Sequence, residues 1–417
     1  MVNKKLTMFK DGFVNLLKGL GTAEKDTRVQ TQYQSTKRIS RLWDMLDDLY
    51  ATNSLAAKVI DIPINDAFRE GRLIDIQDTN KREEVEELYV DIDTKINLAL
   101  KYADVFGGSV LVVVSNDDDL SKPITNMTKG DLVNVAVLDA SQLVPQTLDR
   151  NPLSKNYNKP TSYLITNTSV NIDPSRVYYV DGVNTTNRER ERNNGLGSSK
   201  YERMYYNIQD AIQTNVSIRN LVEQSNIDVV KIDGMNDAVA SGAEDVVQQR
   251  LQILSQMKSM LNTIGIDAKD DYVNISKSFG TLDKIQMNMY SLVAMAADIP
   301  VTRLVGTSAD GMNATGDGDL KNYYDMVKSD IQINRMKPIY KYFDPIVTTH
   351  LFGSDEGFNY EFNSLYQLSE SEIAEIQSKQ ANTHAIYLDR GVVTEGAVLQ
   401  ELQKNGQYVD YNPFEIE

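Results

Sequence analysis

The sequence predicts an α+β fold, with helical stretches on both sides of a β-rich region. Apolar residues recur at helical spacing over residues 38–106 and again after residue 199. Residues 107–180 instead carry valine-rich runs separated by Asn, Pro and Asp clusters, as strands and turns do. The chain has 417 residues, of which 41% are hydrophobic. We therefore expect two or three packed modules.

The composition argues against several kinds of site. The chain has no cysteine, and its two histidines, His350 and His384, lie in unrelated segments. Thiolate sites and histidine-rich metal sites are therefore not expected, and neither is a cofactor. Asp and Glu outnumber Lys and Arg by 59 to 43, and the net charge of −16 argues against tight nucleic-acid binding. No apolar run reaches the roughly 18 residues that span a bilayer.

Residues 1–37 are predicted to form an amino-terminal arm. Lysines and apolar residues at helical spacing over residues 1–21 indicate an amphipathic helix, and the polar stretch from Thr22 to Lys37 indicates a linker. We interpret the helix as one that docks on or caps a neighbour, with a helix lying on a membrane surface as the alternative. No apolar core of a secretory signal is present.

Three helices are predicted before the β-rich region. The helical pattern from Arg38 to Arg69 is broken at Asn53 and so predicts two helices. A short strand is expected at Leu73–Ile76. The third helix is expected from Asn80 to Phe106, with one apolar and one charged face.

A mostly antiparallel sheet region follows Gly107 and Gly108. Its strands are predicted at residues 109–115, 133–138, 162–166 and 177–180. Residues 187–194, which contain Arg-Glu-Arg-Glu-Arg, are predicted to form a solvated charged loop because the signs alternate.

Helices dominate the second half of the chain. They are predicted at residues 199–226, 282–300, 319–350, 369–388 and 394–404. A β-α-β unit is expected between the first two, with strands at 227–232 and 272–275. Its helix would begin with a Ser241 and Glu244 capping box and end at Gly265.

Four glycines lie within residues 306–318, which we call the glycine-rich segment. A phosphate-binding loop is not expected, because no Gly-Lys-Ser/Thr follows and Asp317 and Asp319 would repel phosphate. Long glycine-rich loops inside compact folds tend to be functional. We therefore interpret the segment as a loop that faces a macromolecule, with a passive surface loop as the alternative.

Carboxylates near this segment raise a second alternative, metal-assisted hydrolysis. They are Asp298, Asp310, Asp317 and Asp319. A two-metal site needs carboxylates that converge from rigid elements, so ordinary solvation is the preferred interpretation. The tyrosines of the helix predicted at 319–350 are interpreted as residues that pack between helices rather than as a surface on which bases stack, namely Tyr323, Tyr324, Tyr340 and Tyr342.

This order of elements resembles that of phage portal subunits. Ile172-Asp-Pro-Ser-Arg-Val-Tyr178 resembles the Pro-Ser-Arg turn that opens a strand before the first stem helix of portals. Ala297-Asp-Ile-Pro-Val-Thr-Arg-Leu-Val-Gly306, followed by Gly311-Met-Asn-Ala-Thr-Gly-Asp-Gly-Asp-Leu-Lys-Asn-Tyr-Tyr324, resembles the signature of one portal family, also labelled as an uncharacterised phage domain. The resemblance covers residues 38–350.

The resemblance implies a portal fold with a wing, stem helices, a small β-α-β clip, a tunnel loop and a helical crown. After the arm at 1–37, its parts would be the wing at 38–198, the first stem helix at 199–226, the clip at 227–281, the second stem helix at 282–300, the tunnel loop at 301–318, the long wing helix and return at 319–364, and the crown and tail at 365–417.

The resemblance also implies a function. About twelve copies would close into a ring at one capsid vertex, the head-tail connector through which double-stranded DNA is packaged and ejected. The implied partners are the major capsid protein, the terminase large subunit, the head-tail adaptor and the DNA passing through. The protein would be assembled in the host cytoplasm and reside in the virion. Another structural connector protein is the alternative.

Candidate site residues come from two of these parts. In and beside the tunnel loop they are Arg303, Thr307, Ser308, Asp310, Met312, Asn313, Thr315 and Lys321. In the clip, where the motor and adaptor would dock, they are Lys231, Asp233, Gln248, Gln252, Lys258 and Lys269. Arg303 and Lys321 are expected to touch phosphate transiently.

The same family is sometimes labelled by association with anti-CBASS phosphodiesterases, which resemble two-histidine hydrolases with paired His-x-Ser/Thr motifs. This chain has His350-Leu-Phe and His384-Ala-Ile instead. Both general acid/base motifs are missing, so the chain is not expected to be an enzyme and no catalytic residue is assigned.

Overall fold

The computed structural model describes residues 39, 41–116, 119–124, 127–154, 157, 161–166, 168, 170–223, 226–231, 249, 252, 271–276, 280–306, 317–355, 357–366 and 370–404. The chain divides into two units, the first within residues 1–68 and 74–360 and the second within 69–73 and 361–417. The predicted arm at 1–37 lies outside the described residues.

The described helices are α1 Trp43–Thr52, α2 Ser54–Phe68, α3 Thr79–Phe106, α4 Asn187–Arg192, α5 Tyr201–Glu223, α6 Leu282–Ala297, α7 Val301–Val305, α8 Asp317–Met326, α9 Lys337–Phe352, α10 Glu370–Asp389 and α11 Glu395–Lys404. The described strands are β1 Arg72–Asp75, β2 Gly108–Ser115, β3 Leu132–Asp139, β4 Leu143–Pro145, β5 Tyr163–Ile165, β6 Asn171–Ile172, β7 Val177–Asp181, β8 Asn226–Lys231, β9 Asp271–Ser276 and β10 Asn359–Phe362. These helices and small sheets confirm the predicted α+β fold.

The β-rich region consists of two antiparallel sheets. The central strand β2 pairs with β3 on one side and β7 on the other, while β5 pairs with β4 and β6. Val110 and Val112 of β2 share one apolar cluster with Tyr163 and Ile172 of the second sheet. The strands β4, β6 and β10 were not predicted.

The Pro-Ser-Arg turn holds the sheet region together from inside. It forms a 3-10 turn, Pro174–Arg176, capped by the Asp173 side chain. Arg176 is fully buried and donates from Nε to the Lys122 carbonyl at 2.5 Å and from Nη1 to Ser115 Oγ at 2.9 Å. A buried guanidinium needs such acceptors, so this motif has a structural role.

Three glycines let the end of α3 meet the start of α5. Gly107 ends α3 with φ of 84°, and its carbonyl accepts the Gly182 N–H at 3.2 Å. A Cβ on Gly182 would lie 2.6 Å from the Gly107 backbone, and one on Gly197 would lie 3.0 Å from the Gly107 carbonyl oxygen. Only glycine therefore fits where these three backbones cross.

Residues 187–192 form helix α4, so the predicted charged loop is wrong. The Thr186 side chain caps this helix by accepting the Glu189 N–H at 3.3 Å. Arg190 is only 9% exposed and forms a two-point ion pair with Asp181, at 2.6 and 3.1 Å. The alternating charges indicated a solvated segment, but the Arg190 side chain is buried and paired with Asp181.

Of the predicted clip, the structure describes mainly the two strands. Strands β8 and β9 pair antiparallel from Asn226 opposite Ser276 to Lys231 opposite Asp271, which confirms both strand positions. Between them, Gln249 and Gln252 are helical and exposed. The rest of the predicted helix lies outside the described residues.

The helices on either side of this strand pair, α5 and α6, pack against each other. They run in opposite directions, because their contacts join rising residue numbers in α5 to falling ones in α6. The Asn207 amide donates to the Leu292 carbonyl at 3.2 Å, and the Asn215 amide donates to Tyr290 Oη at 3.1 Å. These polar contacts set the register of the pair.

The long helix predicted from residue 319 runs from Asp317 to Phe352, but its middle is a π-helix, Val327–Met336. Gln332 of this π-helix is fully buried and donates from Nε2 to the Ala67 carbonyl at 2.8 Å. π-Helical turns are rare and often mark functional positions. Helical periodicity alone does not separate them from α-helix, so this one was not predicted.

The second unit contains α10 and α11, which confirm the two helices predicted near the carboxyl terminus. Between them lies a cavity of about 440 Å³, lined in part by Ile376, Thr383, Tyr387 and Val398. None of the described helices is both long enough and apolar enough to cross a membrane.

His350, in the last turn of α9, holds the chain that leads into β3. Its Nδ1 accepts the Leu132 N–H at 3.0 Å, and its carbonyl accepts the Gly130 N–H at 2.9 Å. Burial lowers the pKa of the His350 imidazole, and the nearby Asp131 charge opposes this shift. A nitrogen that accepts a hydrogen bond must be unprotonated, so the contact requires neutral histidine.

This contact predicts a pH dependence of stability. A lowered folded pKa makes a contribution that is fully present above the unfolded pKa of 6.5 and is lost as the pH falls towards the folded value. His350→Asn keeps an acceptor and removes the titration. Its free energy of unfolding should therefore fall less than that of the parent between about pH 7.5 and 5.5. Denaturant unfolding at both pH values measures this, with His384→Asn as the control. Equal pH dependence of parent and His350→Asn would contradict the assignment.

Candidate functional site at the two ends of the glycine-rich segment

One helix lies directly before the glycine-rich segment, and another begins near its end. Helix α7 follows Pro300, its N-cap, and ends at Gly306, which has φ of 82° and donates its N–H to the Thr302 carbonyl at 3.0 Å. Helix α8 begins at Asp317. The predicted tunnel loop at 301–318 is thus corrected at both ends, where its residues are helical. Residues 307–316 lie outside the described part of the chain.

A single buried carboxylate binds both flanking helices. Asp66 of α2 is 2% exposed. Its oxygens accept hydrogen bonds from Arg303 of α7, at 2.7 Å from Nη2 and 3.1 Å from Nε. Its Oδ2 also accepts from Tyr323 Oη of α8 at 2.8 Å. These three residues form what we call the Asp66 cluster, and it joins the two ends of the glycine-rich segment.

The charges of the Asp66 cluster favour a fixed geometry. A buried carboxylate is costly unless it is paired, and a two-point arginine contact fixes both distance and orientation. The hydrogen bond to Asp66 raises the pKa of the Arg303 guanidinium. Burial raises the pKa of the Tyr323 phenol, and the Asp66 charge adds to this, so the phenol remains a donor.

The stabilisation from this ion pair is limited by solvent. The Arg303 side chain is 41% exposed, so water screens its attraction to Asp66. Breaking a partly hydrated pair costs less than breaking a dry one. The cluster is therefore better understood as a positioning device than as a large source of stability.

Helix α2 is the platform for the surrounding elements. Besides Asp66, its Lys58 donates from Nζ to the Leu304 carbonyl of α7 at 3.2 Å. The carbonyl of Ala67 accepts from Gln332 of the π-helix. One helix thus holds α7, α8 and the π-helix through adjacent polar contacts.

A polar cavity of about 630 Å³ lies between β7, α5, α6 and the π-helix. Arg335 pairs with Asp104 there at 2.8 Å, and Lys200 donates to the Val59 carbonyl at 3.1 Å. Burial lowers the pKa of Lys200, although the Asp104 charge opposes this. The cationic groups of this cavity therefore have partners within the chain.

Two of the predicted tunnel-loop residues are described. Arg303 is not a free cation at the loop edge, because it lies in α7 and is bonded to Asp66. Lys321 lies in α8 and is exposed. Contact of either residue with phosphate stays a prediction. The others lie outside the described residues, namely Thr307, Ser308, Asp310, Met312, Asn313 and Thr315.

The predicted clip residues are largely undescribed, and their docking role stays a prediction. Lys231 is the last residue of β8, and Gln252 is helical and exposed. The remaining ones lie outside the described residues, namely Asp233, Gln248, Lys258 and Lys269.

Sequence reasoning missed Asp66. In α2 it follows Val59, Ile60 and Pro63 at helical spacing and shares their buried side. A buried carboxylate needs a partner. The position of Asp66 on the apolar face of this helix could therefore have indicated a paired, buried site. The prediction that Tyr323 packs between helices is confirmed, since it is 3% exposed and reaches Asp66.

The described residues do not support the carboxylate-hydrolase alternative. Within them, no group of three or more His, Asp or Glu residues could hold a metal ion. Asp298 is exposed at the end of α6, where it has a left-handed φ of 56°, and Asp319 is exposed on α8. Asp310 lies outside the described part.

The described site is thus one buried carboxylate that joins the helix before the glycine-rich segment to the helix after it. A family model described as phage portal protein matches residues 44–386, which is most of the chain. The chain belongs to the phage portal protein family. It is accordingly a structural component and not an enzyme, as the missing histidine motifs predicted.

Individual proteins are similar over much of the chain. The anti-CBASS protein Acb1 of Caulobacter sp. (strain RHG1) is 29% identical, with 89% of this chain and 62% of that protein covered. An uncharacterised protein of Haemophilus influenzae is 26% identical, with 98% and 93% covered. The chain therefore spans less than two thirds of the first relative and nearly all of the second.

A solved structure has a similar fold. It is the neck of a native GTA particle, computed with C12 symmetry, and its TM-score is 0.52 at 11% identity. The similarity covers 84% of this chain and 91% of that one. At such low identity the likeness concerns the fold alone.

The Asp66 cluster predicts a specific loss of stability. Tyr323→Phe removes one hydrogen bond to a buried carboxylate and should lower the free energy of unfolding by about 2 kcal/mol, as expected for a hydrogen bond to a charged group. Denaturant unfolding measures this difference. The exposed Tyr157 supplies the matched control, since Tyr157→Phe should change little. Equal effects of the two substitutions would show that the Tyr323 hydroxyl contributes nothing.

Proposed function

We propose that this chain is a portal subunit, and that its copies form a ring at one capsid vertex through which double-stranded DNA is packaged and ejected. The observation that carries the proposal is the Asp66 cluster in a member of the portal family. It fixes both ends of the glycine-rich segment on one buried carboxylate. A loop that must meet a moving polymer needs fixed ends and a deformable middle.

The middle of the segment fits that requirement. Glycines permit backbone conformations that other residues avoid, and on this proposal each copy would adjust its loop separately as the DNA turns past it. We propose that residues 308–315 contact the DNA. Lys321, exposed on α8, would touch phosphate only transiently.

The acidic composition fits a channel. Neutralising phosphates with Lys and Arg releases counterions and makes binding strong and salt-dependent, which would slow translocation. A net charge of −16 favours weak contact instead. On this account the protein guides DNA because it does not grip it.

The proposed ring has about twelve subunits joined by heterologous contacts, which close when the rotation between neighbours fits. The GTA neck with C12 symmetry supports this number by analogy of fold. The terminase motor and later the head-tail adaptor would dock at residues 227–281, and the major capsid protein would surround the ring. The protein would assemble in the host cytoplasm and remain in the virion. ATP hydrolysis would belong to the motor.

Deleting residues 308–315 tests the role of the loop. The variant should still form rings by native mass spectrometry, because the Asp66 cluster is retained. Particles assembled with it should protect less DNA from nuclease than particles with the parent chain. Deleting residues 152–159, an equally long piece of the connection between β4 and β5, should leave both measurements unchanged.

Two results would contradict the proposal. Normal DNA content with residues 308–315 deleted would remove the loop from the DNA path. A parent chain that stays monomeric or dimeric at all concentrations, and also in the presence of capsid protein, would remove the ring itself.

A further inference from the structure

The π-helix between α8 and α9 places residues that are nine positions apart on the same side. Nine residues make about 2.5 turns of α-helix, so in an α-helix such residues would face opposite directions. Here Tyr323 and Gln332 are 3% and 0% exposed, and Val327 and Met336 are 0% and 1% exposed. Between them Ile333 is 46% exposed, so the burial is confined to one side.

The π-helix brings these residues into line by taking up extra chain. Lys337 donates its N–H to the Gln332 carbonyl, five residues back. Hydrogen bonds of this span put about one more residue into each turn than the 3.6 of an α-helix, so nine residues make about two turns. Two turns of α-helix need only about seven residues. The π-helix therefore contains about two residues more than an α-helix that would join α8 to α9 in the same orientation.

The π-helix carries an energetic cost. The Gln332 Oε1 atom is buried and has no hydrogen-bond partner among the residues that the structure describes. A buried acceptor without a partner destabilises the state that contains it. Contacts with neighbouring elements oppose this cost. Near α8 the Tyr323 hydroxyl is bonded to Asp66, and near α9 Arg335 is paired with Asp104 at 2.8 Å.

We propose that the π-helix stores two residues of chain and releases them by converting to α-helix. Helix α9 is held in place, because its Tyr340 and Asp344 are bonded to α3. The conversion would therefore advance α8 by about 3 Å along its axis and turn it by about half a turn. That turn carries the Tyr323 hydroxyl away from Asp66.

Helix α8 thus has two positions, and the bond to Asp66 selects the one described above. Because α8 follows the glycine-rich segment, the far end of that segment would move with it. The proposal concerns this helix alone, so its failure would leave the proposed ring and DNA path standing.

Deleting two residues tests the store. Asp330 and Ile333 are exposed members of the π-helix, about one turn apart. Without them Tyr323 and Gln332 lie seven positions apart, which is about two turns of α-helix. The variant should fold with a continuous α-helix, and its unfolding equilibrium constant in denaturant should stay within about tenfold of that of the parent. Tyr323→Phe should raise this constant by the same factor in both backgrounds, because the bond to Asp66 is kept.

The matched control removes Val90 and Thr94, two exposed residues one turn apart in α3, which is α-helical from Thr79 to Phe106. The buried Tyr89 and Ile96 would then lie five positions apart and face different directions. An α-helix has no surplus residue to give, so the unfolding constant should rise more than about a hundredfold. Equal damage from the two deletions, or a failure of the Asp330 and Ile333 deletion to fold, would overturn the store.

Hydrogen exchange tests the release. In the parent, the amides of Asp317–Met326 can exchange through the conversion, whereas the variant without Asp330 and Ile333 has no stored residues to release. Exchange in α8 should therefore be at least about threefold slower in this variant than in the parent, with β2 unchanged. A folded variant in which α8 exchanges as fast as in the parent, or faster, would overturn the release.

Discussion

A carboxylate removed from water must be paired. In this protein the pairing partners of Asp66 lie in the two helices that flank the glycine-rich segment. Arg303, before the glycine-rich segment in the chain, and Tyr323, after it, both donate to the Asp66 oxygens. Because the arginine is still 41% exposed, the pair offers limited stability and mainly fixed geometry. The two helices that flank the segment are thus joined through one carboxylate.

The same platform links this segment to the rest of the first unit. Helix α2 also contacts α7 through Lys58 and the π-helix through the Ala67 carbonyl. The glycine crossing at Gly107, Gly182 and Gly197 separately brings α5 to the end of α3. The helices that flank the glycine-rich segment are therefore tied to the rest of the first unit by several contacts, which supports the proposed contact with moving DNA.

The positions of helices and strands could be predicted from local sequence patterns. The contacts between residues far apart in the chain could not. Asn53 divided α1 from α2 as expected, and the valine-rich run before Ser115 became β2, because spacing and breakers act over a few residues. The partners of Asp66 are 237 and 257 residues away, so periodicity could not reveal them. Arg190 was assigned to a solvated loop because alternating charges do not show which one will be buried. The π-helix had no local signal that separates it from an α-helix. Helix α4 had one, the capping-box spacing of Thr186 and Glu189, but the alternating charges indicated a solvated loop instead.

Hydrogen exchange of Asp66→Asn tests most directly whether one carboxylate holds both ends of the segment. Removing the charge should weaken both contacts at once, so amides in Val301–Val305 and in Asp317–Met326 should exchange faster than in the parent, while those of β2 stay unchanged. Faster exchange in only one of the two helices, or in neither, would contradict the account.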